Sequence, residues 1–161
     1  MNEKDMETIV RNVLAAVKPA KAPTMHLDLA LALMKEVEAE AERIGIKIVV
    51  AIADAAGHPV AVHCMDGAYI GSYDVAVNKA FTSVAFKMST ETLGKLAAPG
   101  ESLYGIQLTN QGKIVIFGGG EPLYVDEVLI GSIGVSGGSA EQDSHLSTYG
   151  KNKLKDVITW K

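Results

Sequence analysis

What most constrains this chain is the way its β-branched runs are joined. "IKIVVAIAD" at 46–54 is short and rich in Ile and Val, and only "AAGH" separates it from "PVAVHCM" at 59–65. Such a pair reads as two strands of a hairpin. Three more runs follow closely on one another: "KIVIFG" at 113–118, "EPLYV" at 121–125 and "EVLIGSIGVS" at 127–136. Parallel strands need a crossover of about a dozen residues or more each time. Only one long connection, residues 66 to 112, is available. The expected class is therefore α+β, an antiparallel five-stranded sheet flanked by helices.

The connecting segments read as helices. Leu27, Leu31, Met34, Val37, Ala41 and Ile44 repeat at helical spacing over 25–44, with Thr24 a candidate N-cap and Gly45 a candidate C′ residue. Residues 71–88 repeat through Val75, Ala76, Lys79, Ala80, Val84 and Met88. Residues 89–98 begin with a Ser/Thr cap, and a last helix is expected from Ser139 to about Lys155. Residues 99–112 read as a loop containing Gly and Asn.

The start of the chain is a separate piece. Met6, Ile9, Val10, Val13, Leu14 and Val17 fall at i, i+3, i+4, i+7, i+8 and i+11, one apolar stripe on a helix. "KPAKAP" at 18–23 then reads as a linker, because proline lacks an amide donor and favours extended backbone. The organisation is thus a helix at 1–17, a linker at 18–23 and a domain at 24–161. A helix this short needs a surface to cover its stripe. Either it folds back on its own domain or a sister chain, or it docks into a groove of another protein.

Several classes are excluded by composition. Net charge is −4 over 161 residues, with Lys and Arg scattered, so no basic field recruits nucleic acid. No window approaches 18 uninterrupted apolar residues, and "MNEKDMETIV" lacks the pattern of a secretory signal. A single cysteine, Cys64, allows no intramolecular disulfide and suits a reducing cytoplasm. The expectation is a cytoplasmic protein that engages neither membrane nor nucleic acid.

"GSIGVSGGSAEQD" at 131–143 has the order of a phosphate cradle: strand, glycines, helix start. It lacks the Lys of a Walker loop and the spacing of a dinucleotide loop, so no nucleotide is expected. In the structural reading, Gly137 and Gly138 make a tight turn at positive φ, and Ser139 caps the last helix. In the functional reading, amides at the helix start hold an anion. Glu141 and Asp143 in the first turn already complement the helix dipole and argue against a second anion. "GVSGG" also fits the serine-hydrolase pattern literally, but an antiparallel sheet removes the elbow that chemistry requires.

Taken in order, the D-x-x-G hairpin turn, "MDGA" at 65–68, the Lys79-Ala80 helix, "GGGEPL" and "IGSIGVSGGSAEQD" resemble the GlcG/HbpS family, including its PduO C-terminal type. The resemblance spans residues 26 to about 150. It implies an antiparallel sheet in profilin-like layers, a homo-oligomer, and haem as cofactor, with no metal beyond the haem iron. It places His26 where the PduO-type domain supplies its ligand. The family commonly carries arginine where this chain has Cys64, which leaves a role for a cation there in doubt. The PduO-type context is a propanediol-using microcompartment. The N-terminal stripe then resembles an encapsulation peptide, which would bind shell or cargo proteins and place the chain in the microcompartment lumen. The adenosyltransferase activity of PduO is not implied.

Haem iron is held by His, Cys, Met or Tyr. His26 is the candidate ligand; its other reading is a polar surface residue beside a linker. His58 falls in the hairpin turn, His145 in the last helix, and His63 alternates with Cys64 along one strand. Cys64 reads as a small buried apolar residue rather than a nucleophile. Lys79 lies on an apolar helix face and needs a carboxylate partner, with Asp66 and Asp143 the candidates. With Gly67, Gly137 and Gly138 these residues form the candidate ligand pocket. The expected function is a haem-binding accessory protein giving redox or cofactor support. An enzyme or binding module for a small organic acid or aldehyde, and a structural cargo module, are the alternatives.

Overall fold

The computed structural model describes residues 3–16 and 23–158. Their order is α1 (Glu3–Ala16), α2 (Leu27–Arg43), β1 (Val49–Asp54), β2 (Pro59–Cys64), α3 (Ser72–Phe86), α4 (Thr90–Leu96), β3 (Gly120–Val125), β4 (Val128–Ser136) and α5 (Ala140–Val157), with two short 3-10 turns between α4 and β3. The strands form one sheet in the order β2-β1-β4-β3. Every pairing is antiparallel, as the tight turns require.

The sheet has four strands rather than five. Residues 113–118 have the composition of a strand but pack beneath helices instead. The Val115 amide donates to Thr82 Oγ1 of α3 (3.1 Å), not to a ladder. The Ile116 carbonyl lies so close to Gly94 of α4 that no Cβ fits there. Ile114 is buried. The apolar run is real; its partners are helices.

The two sheet faces bury different sizes of residue, because side chains alternate along a strand. On one face Val50 and Ile52 of β1, Leu123 of β3 and Ile130, Ile133 and Val135 of β4 meet Leu29, Leu33, Met34 and Val37 of α2 and Leu146 and Leu154 of α5. On the other face Val49, Ala51 and Ala53 meet Ala76 and Ala80 of α3. Here the residues are small, so the α3 backbone lies close on the sheet. Gly134 is required at that contact: a Cβ would fall against the Ala76 carbonyl and within 2.6 Å of the Ala80 amide nitrogen. Ser132 Oγ donates to the Ala80 carbonyl (2.7 Å), which fixes the same approach.

Two predicted ends are corrected. The N-cap of α2 is His26, not Thr24; its backbone is extended (φ −127, ψ 165) and its side chain accepts from the Leu29 amide. The reason is the Met25 amide, which donates to the Ile130 carbonyl (3.3 Å), while the Met25 side chain is buried. That anchor carries the extended chain two residues further. Of the predicted glycine turn, only Gly137 has positive φ (+156), and a Cβ there would run into the Lys47 carbonyl. Gly138 is instead kept small by the Gln142 side chain, 2.7 Å from its would-be Cβ. Gly45, at φ +76, follows the α2 C-cap as expected.

Helix α1 covers most of the N-terminal stripe. Met6 and Ile9 are half-exposed, at 51% and 50%. Val10, Val13 and Leu14 lie within its span; Val17 and linker residues 18–22 fall outside the described residues. Among the described residues, no helix is long and apolar enough to cross a membrane.

The close contact of α3 with the sheet makes a direct prediction. Gly134→Ala should lower the unfolding free energy by about 1–3 kcal/mol in urea titrations, the usual cost of overpacking a core. Gly71→Ala is the control: Gly71 is in the αR region and has nothing within 4 Å of its would-be Cβ. It should change stability by less than about 0.5 kcal/mol.

Candidate functional site

Lys79 is fully buried on α3. Its Nζ donates to Asp143 Oδ2 (2.7 Å) and to the Val135 carbonyl (2.8 Å) and sits 4.9 Å from the centre of the Phe117 ring. The second Asp143 oxygen accepts from the Gly138 amide (2.9 Å). The pair thus ties α3, the end of β4 and the first turn of α5 into one knot. Gly119, at φ +115, closes over it; a Cβ there would lie 2.6 Å from Nζ. Burial pushes the Lys79 ammonium below its ordinary range, and Asp143 pulls it partly back.

The first turn of α5 is built to hold Asp143 in place. Ser139 and Gln142 form a capping box, with the Ser139 amide donating to Gln142 Oε1 (2.8 Å) and the Gln142 amide to Ser139 Oγ (3.3 Å). The Ser139 hydroxyl holds the Glu141 carboxyl below its usual range. The Gly138, Ser139 and Gln142 amides at this helix start thus have partners from within the chain, in keeping with the reading of a capped turn.

The other pocket candidates are elsewhere. Asp66 and Gly67 are exposed in the turn after β2, with Gly67 at φ +89. Of the two carboxylates considered for Lys79, the fold brings it Asp143. A groove of about 410 Å³ along Tyr124, Asp126, Lys151 and Leu154 includes none of the candidate residues. Nor does one of about 330 Å³ along His145 and Tyr149.

The histidines divide by position. His26 is exposed at the start of α2, and its Nδ1 accepts from the Leu29 amide (3.3 Å). Beside it Leu27 is half-exposed (53%), whereas Met25 is buried. His58 is exposed, 3.6 Å from Asp54. His63 bonds Glu38 of α2 at 2.8 Å, and Cys64 next to it is exposed rather than buried, because it ends β2, the edge strand of the sheet. His145 Nε2 bonds Glu40 of α2, also at 2.8 Å.

Glu40 is a junction that sequence reasoning did not single out. Arg43 grips it with two hydrogen bonds of 2.7 Å, one to each oxygen, and His145 adds the third from α5. The Arg43 guanidinium foremost, then His145, hold the Glu40 carboxyl down to about 2. The i,i+3 spacing of Glu40 and Arg43 was visible; the His145 partner, 105 positions on, was not.

The fold and these positions can now be set beside known proteins. The sequence model of the family described as haem degrading protein HbpS-like matches residues 25–151. The chain belongs to this family. The match begins at Met25, so α1 lies outside it. The HbpS-like chain is 43% identical over 102 residues to the corrinoid adenosyltransferase PduO of Salmonella typhimurium, covering 63% of this chain and 30% of that protein. Among solved structures, the Klebsiella pneumoniae protein ORFY is similar with a TM-score of 0.81 and 37% identity, over 86% of this chain and 95% of its own. A complex of PduOC with haem is similar with a TM-score of 0.78 and 34% identity, over 85% and 96%.

The Lys79–Asp143 knot carries a stability prediction. Lys79→Met or Asp143→Asn alone should each cost about 3–5 kcal/mol in chemical denaturation, because one buried partner is left unpaired. The double variant Lys79→Met/Asp143→Asn should lose markedly less than the sum of the two single losses. Additive losses would show that the two side chains are not coupled.

Proposed function

We propose that this HbpS-like chain is a haem-binding accessory protein, with His26 as the axial ligand. The observation that carries the reading is the similarity to PduOC, whose structure is a haem complex and which aligns over 85% of this chain. The donor set of this chain fits the group. Histidine is a common axial ligand of haem iron, and His26 presents its imidazole at the surface, beside the half-exposed Leu27. Met25 is ruled out as the ligand by burial. When bound, haem supplies an iron centre for electron transfer or oxygen chemistry. The role of the chain is to offer one nitrogen at a fixed position, set by the Met25–Ile130 hydrogen bond that anchors the start of α2.

A ligand on an open surface leaves most of a macrocycle exposed, so a second copy of the chain is the natural cover, and a homo-oligomer is part of the proposal. Two independent features support a reading of the cellular setting: the PduO likeness, and an α1 that lies outside the family match and keeps Met6 and Ile9 half-exposed. We infer that α1 is an encapsulation peptide docking on shell or cargo proteins of a propanediol- or cobalamin-type microcompartment, with the domain at 24–161 as cargo in its lumen.

Haem titration tests the ligand. A Soret shift that saturates near one haem per chain and is lost in His26→Ala is the expected result. An unchanged Soret shift in His26→Ala would move the ligand elsewhere, and no shift at all would end the haem reading. The setting has its own test. Residues 1–20 fused to a fluorescent protein should form puncta in cells that make shells, and Met6→Glu/Ile9→Glu should return the signal to the cytosol. Diffuse signal from the unaltered fusion would sink the docking role.

A further inference from the structure

The nitrogen proposed above for iron is on a ring already in use. Leu29 N–H, one of the amides a helix start leaves without an internal partner, donates to His26 Nδ1 at 3.3 Å. A neutral imidazole has one N–H and one lone-pair nitrogen. A ring that accepts at Nδ1 therefore carries its proton on Nε2, and a protonated nitrogen has no lone pair for a metal. The lone pair that iron needs is the one that caps α2.

We propose that capping of α2 and axial ligation compete for the single imidazole of His26, so that haem binding uncaps the helix. This rests on the reading of His26 as the haem ligand. Ligation through Nε2 requires the proton to leave that nitrogen and a proton to sit on Nδ1. The ring stays neutral, but Nδ1–H then faces Leu29 N–H, donor against donor, and the bond is lost. Ligation through Nδ1 takes the lone pair directly, with the same loss. By either route the Leu29 amide passes to solvent. The usual strength of an N-cap corresponds to about a fivefold change in an equilibrium constant, so ligation is weakened by about that factor relative to an uncapped ring. Re-forming the cap favours release by the same factor. A site of this kind suits a protein that holds haem reversibly and passes it on.

The test uses the full chain, labelled with ¹⁵N, and zinc protoporphyrin, which is diamagnetic and takes one axial ligand. In the free chain the Leu29 amide should be protected from hydrogen exchange, and the His26 ring proton should sit on Nε2. At saturating zinc protoporphyrin, Leu29 should exchange about fivefold faster, and the Nε2 proton signal should vanish or move to Nδ1. His26→Asn retains a good N-cap and should keep Leu29 protected while losing porphyrin; His26→Ala should lose both. A Leu29 amide equally protected with and without bound porphyrin, in a chain whose His26→Ala variant does not bind, overturns the competition while leaving the ligand assignment standing. If His26→Ala binds as tightly as the parent, the ligand assignment itself has failed, and the competition falls with it.

Discussion

The rest of the domain is arranged around one charged side chain with nowhere to go. Lys79 points from the face of α3 that lies on the sheet, and it is fully buried. A buried ammonium is tolerable only where a counter-charge and acceptors meet it. That requirement fixes where α5 begins, since Asp143 must reach Nζ while its other oxygen takes the Gly138 amide. It also fixes the end of β4, whose Val135 carbonyl is the second acceptor. One ion pair holds α3 against the junction of β4 and α5, far along the chain.

Closeness is the second half of the same constraint. The ammonium can reach Val135 and Asp143 only if α3 lies almost in contact with the strands, and the alanines and glycines on that face allow it. Gly134 admits the Ala76 carbonyl, Gly119 admits Nζ itself, and Gly120 leaves room for Ser83 and the Lys79 carbonyl. Of the glycines that looked like a phosphate cradle, Gly134 makes room for α3, while Gly137 admits the Lys47 carbonyl. On the opposite face larger aliphatic side chains meet α2 and α5, and the buried Glu40 of α2 ties those two helices together through His145.

What could be read from the sequence follows the range of each interaction. Strand pairing by tight turns, the Ser139 cap and the need of Lys79 for a carboxylate are local or nearly so, and they were legible. The choice between Asp66 and Asp143 was not, because it depends on where the start of α5 lands against α3. The fifth strand failed for a related reason: "KIVIFG" has strand composition, but Thr82 of α3 takes its Val115 amide, and its Ile116 carbonyl packs against Gly94 of α4. His26 as N-cap was hidden behind a better-looking Thr24, and only the Met25–Ile130 hydrogen bond explains the shift. The four histidines looked alike as residues; Glu38 for His63 and Glu40 for His145 come from α2, far along the chain, which spacing does not reveal.

The burial of Lys79 also weighs against an amine-based enzyme acting on aldehydes. To attack a carbonyl, Nζ would have to leave both Asp143 and the Val135 carbonyl and displace Phe117 and the Gly119 backbone. That would strand a carboxylate that is itself almost wholly buried, and breaking such a pair is strongly destabilising. Glu40, similarly, is consumed by Arg43 and His145. The domain has used its interior charges to define its shape. In the function proposed above, chemistry with an outside molecule falls to side chains at the margins: His26 at the start of α2, and Met6 and Ile9 on α1.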